Sequence, residues 1–177
     1  MIKKLALFGV VLGMGIMLAG KVCAEPLTAT MCKDKVVEAA KLIEAEGTAA
    51  FEKLKDPAGA FRFGDGEGYI WVHDSKNVMI MHPIKPALDG KTVADMKDAK
   101  GTYLFVNMTD LAMENGSGWV VYAWPKPGKT EASSKVSYVS KVEKDGETYI
   151  VGSGIYDVTA ADIKKEFPGD ALVAGDE

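Results

Sequence analysis

The sequence predicts an α+β domain, a long N-terminal helix packed on a five-stranded antiparallel sheet, and three observations carry that prediction. An apolar stripe at three- and four-residue spacing runs from Thr28 to Leu54. Beyond Gly68 the period changes to short runs rich in β-branched and aromatic residues. The links that join neighbouring runs are too short to carry parallel crossovers.

The chain opens MIKKLALFGVVLGMGIMLAGKVCA, with Lys3 and Lys4 ahead of an apolar run from Leu5 to Gly20 and Ala24 before Glu25. That pattern is a secretory signal peptide spanning residues 1–24, cleaved after Ala24. Val22 stands before Cys23, where a lipidated N-terminus takes a small residue. The mature protein is thereby placed in the periplasm or outside the cell; an uncleaved segment acting as a membrane anchor would face the same compartment.

Removing residues 1–24 leaves 153 residues, one ordinary domain with room for a real core. The removed segment carries three lysines and no acids, so 18 cations then face 25 acids, a net charge of −7. Such a surface argues against nucleic acid and anionic lipid as partners. An anionic ligand must therefore be captured by a local cationic pocket. Cys32 is left as a lone thiol, so no internal disulfide is available, and no C-x-x-C or C-x-x-C-H spacing marks a redox dithiol or an attached haem.

In the helix over 28–54, Val36, Ala40, Ile43, Gly47, Ala50 and Leu54 share one face, Lys and Glu fill the back, and Asp56-Pro57 ends it. The glycine-rich FRFGDGEG reads as a loop. The strands YIWVHD and VMIMHP follow, joined by Ser75, Lys76 and Asn77, a length suited to a hairpin. After a long excursion from Ile84 to Gly118 come GWVVYAWP, SKVSYVSKVE and TYIVGSGIYD, the last two linked by Lys144-Asp145-Gly146-Glu147 with Asp-Gly as the turn signal. The excursion holds a second helical pattern, with Leu104 or Phe105, Met108, Leu111 and Ala112 on one face. A loop of this length inside a compact domain usually carries function. Sheet and excursion together occupy 69–158, a short helix is expected from Thr159 to Phe167, and residues 168–177, PGDALVAGDE, read as a flexible tail.

Catalytic and metal chemistry find little support in these residues. His73 and His82 are the only histidines, short of the three or four close ligands of a zinc site. No G-x-S-x-G or other nucleophile-base motif is present, and the G-S-G triplets read as permissive backbone beside strands. The reading is therefore not an enzyme, with no cofactor and no metal. Binding chemistry is better supplied. Tyr122 and Trp124 are two apart and share a sheet face, and Lys126 and Lys135 sit at the ends of aromatic strands expected to pair. Arg62 is the only arginine, so a guanidinium clamp is available at one place at most.

The blocks GYIWVHD, VMIMHPIKPALDGKTVADMKDAKG, NGSGWVVYAWPKPG, KVSYV and VGSGIYD, in this order, resemble the single Cache domain family of the second type. These are PAS-like extracytoplasmic sensor domains of chemoreceptors and histidine kinases, also found as free-standing secreted proteins. The likeness runs from about Val36 to about Phe167 and implies one Cache domain over 25–167. It also implies a ligand held between sheet and excursion, a short-chain carboxylate such as acetate, propionate, pyruvate or lactate. On this chain the implied pocket is lined by Trp71, Met81, His82, Phe105, Tyr122 and Trp124, with Lys126, Lys135 and Tyr138 as carboxylate donors. The ring of His82 would contact the ligand carboxylate or a backbone carbonyl of the roof. A transmembrane sensor needs a second span after this domain, and the sequence ends soon after Phe167 without one. The expectation is therefore a periplasmic ligand-binding protein feeding chemotaxis or signal transduction through a membrane-bound sensor kinase, chemoreceptor or transporter, with a homodimer through the N-terminal helix as in receptor relatives. The alternatives are an interaction module docking on such a partner, or a membrane-anchored sensor fragment.

Overall fold

The computed structural model describes residues 25–174, so the predicted signal peptide lies outside the described residues. The predicted stripe forms helix α1, Ala29–Glu46, with the Thr28 hydroxyl accepting from the Met31 N–H as its cap. One continuous helix to Leu54 was expected; instead Gly47 interrupts it, followed by a single 3₁₀ turn and helix α2, Ala50–Lys55. The break has a local cause. Gly47 takes a φ of 62°, a conformation that glycine adopts without strain, so the chain bends there, beside the β-turn at Asp145.

Strands β1, Arg62–Phe63, and β2, Gly68–Tyr69, pair as a small separate hairpin where the sequence reading placed a loop. The main sheet comprises β3, Trp71–Asp74; β4, Met79–Met81; β5, Ser117–Pro125; β6, Ala132–Lys144; and β7, Glu147–Tyr156. The excursion carries α3, Leu104–Asn115, and the chain closes through α4, Ala160–Glu166, capped by Thr159, into β8, Leu172–Ala174. Strand order is β4-β3-β7-β6-β5-β8.

Among the described residues the sheet thus has six strands, not five. The five expected strands are antiparallel, and β8 adds in parallel along the free edge of β5, with Trp119 opposite Leu172. This corrects the expectation of a flexible tail for the described part of 168–177. The Trp119 N–H donates to the Ala171 carbonyl at 2.8 Å, and the Asp170 carboxylate accepts from both Lys33 and the Trp119 indole. An otherwise unpaired edge is satisfied by the segment that follows α4.

Side chains alternate across the sheet and build two cores. On one face Val36 and Ile43 of α1 pack on Val136, Val151 and Ile155. On the other, Met108 and Phe105 of α3 cover Trp71, Tyr122 and Ile150. One irregularity disturbs the alternation: Val72 pairs with Met81, yet the next residue, His73, pairs with Met79. The extra residue, Ile80, is a β-bulge.

Candidate functional site

The site grows from one cross-strand row. Lys135 of β6 stands opposite Tyr122 of β5 on one side and Tyr156 of β7 on the other, all on the face roofed by the excursion. This register is set at the β6–β7 turn, where Asp145 and Gly146 both take positive φ, 54° and 83°, as a two-residue hairpin turn requires.

Two glycines let large side chains lie flat here. Trp71 pairs with Gly152, and a Cβ on that glycine would fall 2.3 Å from the indole ring. A Cβ on Gly154 would lie 2.8 Å from the Lys135 Cε and 2.0 Å from the Ser137 hydroxyl. Close approach of side chains to backbone is what glycine supplies at these positions.

Lys135 is 1% exposed. Its Nζ donates to the Tyr69 hydroxyl at 3.0 Å and lies 4.6, 5.3 and 4.8 Å from the ring centroids of Tyr69, Trp71 and Tyr156. Burial works against its charge, while the hydrogen bond to Tyr69 and the three ring faces work for it. Burial raises the hydroxyls of Tyr122 and Tyr156, so both stay protonated at neutral pH and supply no negative charge. Among the described residues no carboxylate lies within ion-pair distance of Lys135.

His82 leaves β4 into the roof. Its Nδ1 accepts from the Ile84 and Lys85 N–H groups, at 3.3 and 3.1 Å, so the neutral ring carries its proton on Nε2. Burial first, then the charges of Lys135 and Lys85, push its pKa down to about 3. The ring stands 5.3 Å from that of Tyr69. Lys85 adds a second cation, its Nζ 4.1 Å from the Trp124 ring centroid. Phe105 meets Trp124 edge-on at 6.2 Å and His73 at 5.4 Å. His73 donates from Nε2 to the Thr109 hydroxyl, which in turn donates to Asn77, and its buried Nδ1 has no partner among the described residues. The buried Trp71 indole N–H likewise has none among them.

Of the nine residues read from the sequence, Trp71, His82, Phe105, Tyr122, Trp124 and Lys135 come together on this face. Met81, Lys126 and Tyr138 do not. The bulge at Ile80 turns Met81 to the α1 core and gives its place to Met79. Tyr138 is an odd number of residues from Lys135, so it faces α1, where its ring meets Trp119 and its hydroxyl donates to Ser117. Lys126 lies past the end of β5 and pairs with Asp157 in solvent. The residues missed are Tyr69, Tyr156, Lys85 and the glycines 152 and 154. Tyr156 was legible, because counting outward from the Lys144–Glu147 turn brings it opposite Lys135.

The groups left open around Lys135 are mostly donors: its remaining ammonium protons, the His82 Nε2–H and the Trp71 indole N–H. A donor-rich, acceptor-poor site suits an anion and not a metal cation.

A family model for the Cache domain matches residues 33–167. The chain is 36% identical over 129 residues to the methyl-accepting chemotaxis protein McpP of Pseudomonas putida, covering 71% of this chain and 23% of that protein. The chain spans between 18% and 23% of the length of the curated relatives it matches. A solved Cache chemosensory domain, studied for its recognition of carboxylic acid, superposes with a TM-score of 0.63 at 32% identity, covering 73% of this chain and 92% of its own. The periplasmic sensor domain of a chemotaxis protein superposes with a TM-score of 0.60 at 34% identity, with the same coverage.

Proposed function

The chain belongs to the Cache domain family, and from that premise we propose that it binds a short-chain carboxylate at Lys135 as an extracytoplasmic sensing domain. One observation carries the reading: a wholly buried ammonium with no carboxylate partner among the described residues. Holding an unpaired charge away from water costs several kcal/mol, and an anionic ligand offsets that cost where an apolar one does not. The open donors around Lys135 fit the four lone-pair positions of a carboxylate, and the aromatic wall fits a short apolar stem.

Acetate, propionate, pyruvate and lactate are the size class in question. The relatives' roles in chemotaxis support the reading that the bound state is passed to a membrane-bound receptor, kinase or transporter. A thermal-shift screen of these acids against residues 25–177 tests the proposal. Ligand at a hundred times its Kd stabilises the native state by about 2.7 kcal/mol, a rise in Tm of roughly 5–10 °C for a domain of this size. A flat response to the acids, with a response to amines or to nothing, refutes it.

A further inference from the structure

The groups nearest the Lys135 ammonium are almost inaccessible: Tyr69 and His82 are each 3% exposed and Trp71 is 2% exposed. A ligand reaches the ammonium only when part of this wall moves. The wall is unevenly anchored. Trp71, Tyr122 and Tyr156 stand on strands of the main sheet, whereas Tyr69 ends a two-residue strand of the separate β1–β2 hairpin, whose turn passes through three left-handed residues, Gly64, Asp65 and Gly66. Facing Tyr69 is His82, where Pro83 denies the sheet a donor and the chain departs into the roof.

Against Tyr69 lies a cavity of about 170 Å³, walled also by Arg62, Pro83 and Ile84 and by the end of α2. That is far above the ~15 Å³ that admits a single water. Tyr69 is therefore a partition, with the cavity on one side and its hydroxyl on Lys135 at the other. Arg62 sits directly across the hairpin from Tyr69, its guanidinium carbon 5.9 Å from the ring centroid. No carboxylate among the described residues lies within ion-pair distance of Arg62; Asp56, the acid in the cavity lining, accepts from the Ala58 N–H.

We propose that this cavity is the entrance to the Lys135 site, with Arg62 as the first residue to hold an incoming carboxylate and Tyr69 as the door between the two stations. The proposal rests on the reading of Lys135 as the carboxylate site. The sole arginine of an acidic chain is thereby given a task the overall field cannot perform: it concentrates anions at one mouth.

Stopped-flow tryptophan fluorescence, with Trp71 beside the ammonium as reporter and acetate, propionate, pyruvate and lactate as probes, separates the rates. Ile84→Phe narrows the entrance without touching Lys135. It should slow association and dissociation by the same factor, about tenfold, with Kd within about twofold, the signature of an obstructed path. Arg62→Gln should slow association about three- to tenfold at low salt and flatten its salt dependence. Association within twofold of the wild type in both variants overturns the entrance. A wild type that gives neither saturable fluorescence nor calorimetric heat with any of the four acids instead overturns the carboxylate reading itself, and the entrance with it.

Discussion

Replacing Lys135 with methionine should leave the empty protein as stable as before while removing its affinity for carboxylate. The side chain lies flat over Gly154 in a cage of three aromatic rings, and its ammonium donates to the Tyr69 hydroxyl. Losing that bond and the ring contacts costs about 1–3 kcal/mol. Removing an uncompensated buried charge returns several kcal/mol, and methionine fills most of the stem's volume. The two sums nearly cancel, so Tm should move by no more than about 4 °C, since 1 kcal/mol corresponds to roughly 2–4 °C at this size. The bound state differs. A charge-assisted hydrogen bond is worth about 1.5–3 kcal/mol, so Kd should rise roughly 10- to 150-fold. Calorimetry with the acid that gives the largest thermal shift, paired with thermal melts of the empty variants, reads both quantities. A Tm lower by 10 °C with unchanged Kd refutes the reasoning, because it makes Lys135 a structural cation.

Three further outcomes follow from the same geometry. Gly154→Ala should destabilise the fold by about 1–3 kcal/mol and weaken carboxylate binding, because its Cβ meets the Ser137 hydroxyl and the Lys135 stem; urea denaturation and calorimetry measure the two effects. His73 and His82 are both held neutral by burial, with pKa values pushed down to about 3, while in the unfolded chain they protonate near 6.5. The unfolded state thus binds more protons between these values, and stability falls as pH drops from about 6.5 toward 3. Between pH 7.5 and 5 each histidine removes about 2 kcal/mol, an acid slope that His73→Gln should reduce in urea titrations. Carboxylate affinity, by contrast, should show no His82 step across pH 5–8.

The fold was legible because its signals are local. The α1 stripe, the Asp145-Gly146 turn and the strand boundaries each rest on a few adjacent residues. Half of the site shared that advantage: Tyr122 and Trp124 alternate correctly, and Lys135 falls on their face once the β5–β6 register is known. Tyr138 could have been rejected by parity alone. Met81 could not, since a bulge leaves no distinct mark in VMIMHP and reverses the face of one methionine. Tyr69 was hidden for another reason. YIWVHD reads as one strand, but the chain breaks at Ile70, so Tyr69 belongs to a hairpin whose turn is built from Gly64, Asp65 and Gly66 in left-handed conformations. Signals that depend on which distant segment pairs with which are not written in either segment.

The paired glycines of β7 carry a consequence for how this fold can vary. In most sheets the layer next to the backbone is filled by upright side chains, and a ligand must fit above it within the ~10 Å between layers. Here an indole and a lysine stem are stored sideways at the level of the backbone, in the space where Gly152 and Gly154 have no Cβ. For the carboxylate proposed above, headroom is thus created by absence. Exchanges among the large residues of the roof would reshape the chamber by degrees, but the addition of one methyl group to its floor would raise the whole tier above it.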